Sequence, residues 1–213
     1  MDFFHNISFD TIGIGFVSLF TTLNPIGASA FFLSHTETLE SDIFRKKIAK
    51  KTSIAAFIIL CVFAVTGQQI FRLMGITINS FRIAGGIFVF INALDMLRGA
   101  NVRSRTLPEE RAEAAQKDDF SIIPLAIPLL AGPGSITIAI LSMNKAEGWF
   151  QSCWVIVNIF IVCILTYFIL VHSVKMLRWT GESGIRVMNR IMGLFLASIA
   201  VQMFIAGLQA VLV

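Results

Sequence analysis

Hydrophobic residues fill long uninterrupted stretches of this chain, and charged residues are confined to the segments between them. An uncharged stretch of about 18 or more apolar residues predicts a transmembrane helix. Five stretches carry no Asp, Glu, Lys or Arg, namely residues 11–34, 52–71, 120–144, 149–171 and 191–213. A sixth apolar stretch, residues 78–97, holds Arg82 near one end and Asp95 near the other. The pattern predicts an all-α polytopic membrane protein with six transmembrane helices.

The composition agrees with this pattern. Hydrophobic residues make up 56% of the 213 positions and charged residues 14%, whereas soluble domains carry about 25% charged residues. The segments between the spans are short, so the sequence predicts a single membrane domain over residues 1–213 with no extramembrane domain. The net charge of +4 does not indicate a nucleic-acid partner.

The distribution of basic residues predicts the orientation. Fourteen of the 17 Lys and Arg residues lie in the segments after spans 1, 3 and 5. Cytoplasmic segments are enriched in Lys and Arg, so we expect both termini on the outer, periplasmic side of a bacterial inner membrane. The basic run "FRKKIAKK" before span 2 is interpreted as such a topology signal, with a lipid-headgroup site as the alternative.

Two proline breaks and two arginines repeat along the chain. Pro25 and Pro133 are 108 positions apart, as are Arg82 and Arg190, and Gly85 and Gly193. Three spans in each half would place the halves in opposite orientations, which predicts a 3+3 inverted repeat of the kind found in secondary transporters. Repeat A covers residues 1–97, with spans at 11–34, 52–71 and 78–97. A linker covers 98–119, and repeat B covers 120–213, with spans at 120–143, 149–172 and 190–212.

The prolines predict broken helices in spans 1 and 4. Asn at an N-cap and Pro at the first helical position favour the start of a new helix, and substrate sites of such transporters lie at broken helices near the bilayer midplane. We expect free amides at residues 26–28 and at 135–136, able to bind a carboxylate. The candidate substrate-binding residues are Asn24, Pro25, Ile26, Gly27, Ala28, Gly132, Pro133, Gly134 and Ser135. No charged residue lies near either break in the sequence, which favours a small zwitterion. A structural kink with helix packing through small residues is the alternative.

The remaining polar residues suggest weaker hypotheses. Arg82, Asp95 and Arg190 are candidate gating or coupling residues, because charges in spans are costly and often functional; interface anchoring of the arginines and capping of span 3 by Asp95 are the alternatives. The three cysteines, Cys61, Cys153 and Cys163, are interpreted as small apolar residues. No catalytic, metal-binding or cofactor motif is present, so we expect neither an enzyme nor a cofactor.

The motifs "NPIGASAFFLSHT", "SFRIAGGIFVFINALDM", "IPLAIPLLAGPGSITIAIL" and "NRIMGLFLASIAVQMFIAGL" occur in this order. Together they resemble the MarC family of bacterial and archaeal integral membrane proteins, over nearly the whole chain. The resemblance implies a six-span fold related to lysine exporters and transport of small neutral amino acids such as glycine and alanine. It carries over no binding residues.

The expected function is therefore a secondary transporter of small neutral amino acids, held between the two broken helices. The expected partners are this substrate and the lipid bilayer, with a proton or sodium ion as the candidate coupling ion. Two alternatives stay open, an exporter of another metabolite or drug and a non-transporting membrane scaffold. The sequence does not indicate an oligomeric state.

Overall fold

The structure is a computed structural model that describes residues 9–36, 42–99 and 130–212, and within these ranges the chain is helical and has no β-strand. The all-α prediction is confirmed for these residues. The helices are α1 (Phe9–Leu23), α2 (Pro25–Thr36), α3 (Asp42–Met74), α4 (Ile78–Leu97), α5 (Pro133–Lys145), α6 (Gly148–Val171) and α7 (Ser173–Leu212).

Five stretches of the described residues are long and apolar enough to cross a membrane. They are Gly13–Leu33, which combines most of α1 and α2, then Asp42–Met74, Ile78–Leu97, Gly148–Val171 and Ser183–Leu212. The predicted fourth span, residues 120–143, lies partly outside the described residues. Its described part, from residue 130, includes the start of α5 at Pro133. The chain is thus a multi-pass membrane protein in which the described residues contain five of the six predicted spans.

Helix α3 is longer than the span predicted at 52–71. Its 33 residues measure about 50 Å at 1.5 Å per residue, against a hydrocarbon thickness of about 30 Å. The basic run "FRKKIAKK" lies on the first turns of this helix and not in a loop. These charged turns therefore extend α3 beyond the apolar part of the bilayer.

The α1–α2 pair lies inside the bundle. In the most apolar 18 residues of this pair, 67% is buried, whereas the corresponding share is 28% for α3, for α4 and for the last span. Side chains from α1, α2, α3, α5 and α6, with Met203 of α7, form the larger core, in which Leu19, Phe32, Leu60 and Ile159 are almost fully enclosed. A smaller core joins α4 to α7. The helix break in span 1 is thus surrounded by protein.

Helices α4 and α7 approach each other closely through two glycines. A Cβ atom on Gly86 would lie 3.0 Å from both the Ala200 carbonyl oxygen and the Phe204 amide nitrogen. On the opposite helix, a Cβ atom on Gly193 would lie 3.2 Å from both the Ala93 carbonyl oxygen and the Leu97 amide nitrogen. Only glycine permits such backbone proximity, which is a common way for helices to associate in membranes.

The two glycine contacts are reciprocal. Gly86 and Gly193 are 107 positions apart, and the residues that each one faces, Ala200 with Phe204 and Ala93 with Leu97, are also 107 apart. The sequence pairing of Gly85 with Gly193 at 108 is thus offset by one position from the interval that relates the two packing contacts. Gly85 faces Thr137 on α5 instead, since neighbouring positions on a helix point about 100° apart.

Helix α7 is interrupted at Gly181. This residue has φ 65° and ψ 172°, a backbone conformation that is essentially restricted to glycine. It separates residues 173–180, in which Trp179 is 94% exposed, from the final span at Ser183–Leu212. The span therefore starts seven residues before the predicted boundary at 190.

Candidate functional site

The first helix break is centred on Asn24. Helix α1 ends at Leu23, α2 begins at Pro25, and Asn24 between them has φ 47°. Among non-glycine residues, asparagine is one of the few that adopts positive φ readily. Its side-chain Oδ1 accepts a 3.1 Å hydrogen bond from the backbone N–H of Gly27, the geometry of an N-cap. The Asn-Pro sequence thus marks the start of α2.

Two of the three amides expected to be free at this break are already used. The N–H of Gly27 donates to the Asn24 side chain, and the N–H of Ala28 donates to the Asn24 carbonyl at 3.0 Å. The expectation for these two amides is wrong, because the N-cap residue accepts through both its side chain and its carbonyl. Of the three amides expected to be free, only that of Ile26 is not used in these two bonds.

Helix α5 begins at the position of the second predicted break. Gly132 precedes the helix in an extended conformation, with φ −73° and ψ 169°, and Pro133 is the first helical residue. Glycine has no side chain, so α5 lacks the side-chain cap that α2 receives from Asn24. The N–H of Ile136 donates to the Gly132 carbonyl at 3.0 Å, which corrects the expectation that it is free. The amides of Gly134 and Ser135, in the same first turn of α5, are not used by this bond.

The start of α5 lies against the first break. A Cβ atom on Gly134 would lie 3.1 Å from Cγ2 of Thr22 and 3.2 Å from Cγ2 of Val89. Thr22 is two residues before Asn24 and belongs to the last turn of α1. The N-terminus of α5 therefore packs against the C-terminal end of α1, and glycine at position 134 makes this approach possible.

Asn24 also connects the first break to two other helices. Its side-chain nitrogen donates a 3.0 Å hydrogen bond to Oδ1 of Asn189 on α7 and contacts Sδ of Met96 on α4 at 3.8 Å. Gly27 is fitted to the same place, because a Cβ atom there would lie 2.8 Å from Oδ1 of Asn189. Asn189 is not among the residues predicted from the sequence. The sequence feature that could have identified it is an asparagine next to Arg190 at the start of an apolar run.

The two breaks lie at different levels along α4. This helix has 20 residues and a length of about 30 Å. Val89, which contacts the second break, is near its middle, whereas Met96, which contacts the first break, is its next-to-last residue. The start of α5 thus lies beside the middle of α4, and the first break lies nearer the C-terminal end of α4.

The polar side chains at the breaks are neutral. Thr22, Asn24 and Asn189 lie at the first break, and Asn92 has its amide nitrogen 3.8 Å from the Cβ position of Gly134. Charged residues are nearby all the same, because Asp95 and Arg190 are the chain neighbours of Met96 and Asn189. Arg82 lies in the first turns of α4, at the other end of that helix.

Most of the candidate binding residues are buried. Asn24 is half-buried and Pro133 is exposed, and the others are buried, namely Pro25, Ile26, Gly27, Ala28, Gly132, Gly134 and Ser135. Within the described ranges no three His, Cys, Asp or Glu side chains come together as a metal site, and Cys61, Cys153 and Cys163 are free thiols.

Comparison with known proteins gives a consistent result. Residues 9–212 match the sequence profile of a family described as MarC family integral membrane protein. A UPF0056 membrane protein of Methanocaldococcus jannaschii is 40% identical over 200 residues, covering 93% of this chain and 96% of the relative. The UPF0056 membrane protein YvbG of Bacillus subtilis is 38% identical over 195 residues, covering 91% and 92%. No solved structure matches the chain.

Proposed function

We propose a transport function for this chain, which belongs to the MarC family of integral membrane proteins. It acts as a secondary transporter of small neutral amino acids, with the substrate bound between the starts of α2 and α5. The observation that carries the proposal is the contact between the two helix breaks, in which Gly134 at the start of α5 packs against Thr22 at the end of α1.

The reciprocal glycine contact supports a 3+3 inverted repeat of six spans. Two halves related by a twofold axis bury the same surface from both sides, and Gly86 and Gly193 face residues that are related by the same interval of 107. In this arrangement α1 with α2, and the broken fourth span that ends in α5, are the discontinuous helices of the two halves. Discontinuous helices at the repeat interface hold substrate in this class of transporter.

The chemistry of the breaks favours a small zwitterion. The uncapped start of α5 offers the amides of Gly134 and Ser135, together with the Ser135 hydroxyl, to a carboxylate. The side-chain oxygens of Asn24 and Asn189 are neutral acceptors on the other side, suited to an ammonium group. Neutral partners bind a molecule with no net charge without leaving an unpaired charge buried. The close contacts around Gly27 and Gly134 favour a substrate with a small side chain.

Charged residues next to the first break are the proposed gating or coupling groups. Asp95 and Arg190 flank the two residues that contact Asn24, and Asp95 can carry a proton or coordinate a sodium ion. Arg82 occupies the opposite end of α4, as the partner gate residue of the inverted half. The positive-inside distribution supports an inner-membrane location with both termini outside. The proposal includes no enzymatic activity, cofactor or nucleic-acid partner.

Flux in reconstituted vesicles tests this function. Purified protein should give saturable uptake of labelled glycine or alanine, and Ser135→Ala should reduce the apparent affinity by about tenfold or more, since a hydrogen bond to a charged group contributes about 1.5–3 kcal/mol. The matched control is Ser198→Ala, which removes an exposed hydroxyl that bonds only to the Leu194 carbonyl within α7 among the described residues.

The outcomes separate the alternatives. Equal flux in the Ser135→Ala and Ser198→Ala variants would show that the substrate binds elsewhere. A folded wild-type protein that transports no amino acid but clears another metabolite or drug from the vesicles would be an exporter of that compound. A folded protein that moves none of these would fit a membrane scaffold.

A further inference from the structure

A groove runs between α3 and α6 on the outside of the bundle. It has a volume of about 310 Å³, and its apolar walls include Ile54 and Phe57 of α3 and Phe160 and Ile164 of α6. Three of these side chains, Ile54, Phe160 and Ile164, are 37–51% exposed, so the groove opens toward the bilayer. It shares no residue with the helix breaks.

The groove has a polar end and an apolar end. The rings of Phe57 and Phe160 pack edge to face with centroids 5.7 Å apart, and both line the groove together with Lys50 and Tyr167. Lys50 and Tyr167 each lie seven residues from their phenylalanine, about 10 Å along the helix. They line one groove only if α3 and α6 are antiparallel, because a parallel pair would separate them by about 20 Å. Lys50 and Tyr167 therefore mark one end and the phenylalanine pair the other.

Ser53 provides an independent sign that a polar partner belongs here. Its side chain lines the groove, the residue is 6% exposed, and its Oγ has no hydrogen-bond partner among the described residues. A buried hydroxyl without a partner is costly, and such groups in native structures call for an explanation such as an absent ligand. Ser53 is one turn from Lys50, so both donors face the same end of the groove.

The charges of α3 favour an anionic ligand. Lys50 continues the basic run that includes the exposed Lys46 and Lys47. Within the described part of this helix, Arg45 forms an ion pair with Asp42 at 3.5 Å, and Lys50 is not part of this pair. Tyr167, the one tyrosine in the chain, has the amphipathic ring that is enriched at the membrane–water interface. The polar end of the groove thus lies where lipid phosphates are found.

We propose that this groove is a binding site for one anionic phospholipid. The phosphate contacts the ammonium group of Lys50, and the Ser53 hydroxyl donates a hydrogen bond to a phosphate or ester oxygen. One acyl chain lies along Ile54, Phe57, Phe160 and Ile164. Basic pockets between transmembrane helices on the cytoplasmic side bind acidic headgroups in this way, and the apolar track selects a lipid over a free anion.

Native mass spectrometry of the full-length, lipid-stripped protein tests the headgroup contact. With added phosphatidylglycerol we expect one lipid bound more tightly than the others, and much weaker binding of phosphatidylcholine. Lys50→Gln should weaken the first phosphatidylglycerol site by about fivefold, the effect of one lysine near an anionic surface. The matched control Lys47→Gln removes the same charge from the same helix outside the groove. Equal losses in the two variants would overturn the proposal in favour of general surface charge.

The acyl track is tested with a second pair of variants. Ile164→Trp fills the groove and should abolish the tight site, whereas Ile161→Trp adds the same ring at an exposed position of α6 that does not line the groove. Binding that survives Ile164→Trp would overturn the proposal. So would inorganic phosphate competing as well as the lipid, which would indicate a soluble anion, or a lipid-free dimer that Ile164→Trp converts to monomer, which would indicate a second copy.

Ser53→Ala supplies a measurement that does not depend on lysine charge. Removing the unpaired hydroxyl should raise the melting temperature of lipid-stripped protein, because a buried group without a partner is deleted. With phosphatidylglycerol bound, the gain should disappear, since the hydroxyl then has a partner. The same increase with and without lipid would show that Ser53 does not contact the headgroup.

Discussion

The side-chain amide of Asn24 donates a 3.0 Å hydrogen bond to Oδ1 of Asn189, a residue 165 positions later in the chain. The same asparagine caps α2 through its Oδ1 atom. One side chain therefore fixes the helix break and joins it to the last span. Within a bilayer, where water cannot replace lost hydrogen bonds, this double role makes Asn24 sensitive to substitution.

Asn24→Ala should lower the free energy of unfolding by about 2–3 kcal/mol, from the lost cap and from a side chain that disfavours positive φ. Asn24→Gly should cost less, because glycine accepts this φ and is a tolerated N-cap. Unfolding in detergent, followed by circular dichroism, measures both variants. Equal losses would show that the backbone conformation at residue 24 contributes nothing.

The Asn24–Asn189 contact itself can be isolated by a double-mutant cycle. Asn189→Ala removes the inter-helix bond and leaves the cap intact, so we expect a smaller loss than for Asn24→Ala. The double variant should then be less destabilised than the sum of the single variants by about 0.5–1.5 kcal/mol. Strict additivity would contradict the hydrogen bond.

Gly27→Ala should destabilise the protein by about 1–3 kcal/mol through overpacking, because its Cβ would lie 2.8 Å from Oδ1 of Asn189. Gly13→Ala is the matched control on α1, where a Cβ atom would meet no atom within 4 Å. There alanine should be neutral or stabilise the helix by up to about 1 kcal/mol. Thermal unfolding of the two variants side by side checks the sign of each effect.

Gly134→Ala should also be destabilising, since its Cβ would press on Cγ2 of Thr22 at 3.1 Å. Thr22→Ser removes that methyl group and keeps the hydroxyl that bonds to the Ser18 carbonyl, so the double variant should recover part of the loss. The recovery, measured as a coupling energy of about 0.5 kcal/mol or more, reports contact between the two breaks. Absence of coupling would mean that α5 and the end of α1 do not touch.

Gly86→Ala and Gly193→Ala should each cost about 1–3 kcal/mol. Both Cβ atoms would press on backbone atoms of the facing helix, which cannot rotate away as a side chain can. Ala84→Val, at an exposed position of α4, is the control and should be close to neutral. Losses of similar size at the two glycines are expected from the reciprocal contact, and a loss at only one of them would contradict it.

Local patterns predicted what local chemistry determines. The helix boundaries of span 3 at residues 78–97 agree with α4, because Thr77 supplies a side-chain N-cap, accepting from the N–H of Ser80. The start of α2 at Pro25 also follows from local chemistry, since proline has no N–H to donate to the carbonyl four residues before it. The length of α3 was not, because its basic first turns are helical but too polar for a search based on hydrophobicity.

The details of the breaks depended on contacts that no local pattern encodes. Which amides are free at α2 follows from the rotamer of Asn24, and the choice of Asn189 as its partner follows from the packing of α7. The register of α4 on α7 similarly comes from three-dimensional fit. The repeat interval of 108 therefore pairs Gly193 with Gly85, whereas the contact in the structure pairs it with Gly86. Hydrophobic patterns specify which faces are buried but not which atoms meet there.

The reciprocity of Gly86 and Gly193 has a consequence for how such a chain can arise. A contact that is the same from both sides needs only one surface, so a polypeptide holding a single half could pair with an identical copy inserted in the opposite orientation. Gene fusion of two such copies would preserve the contact while freeing the residues outside it to diverge. The difference between the capped Asn24 and the bare Gly132 is what such divergence after fusion would produce.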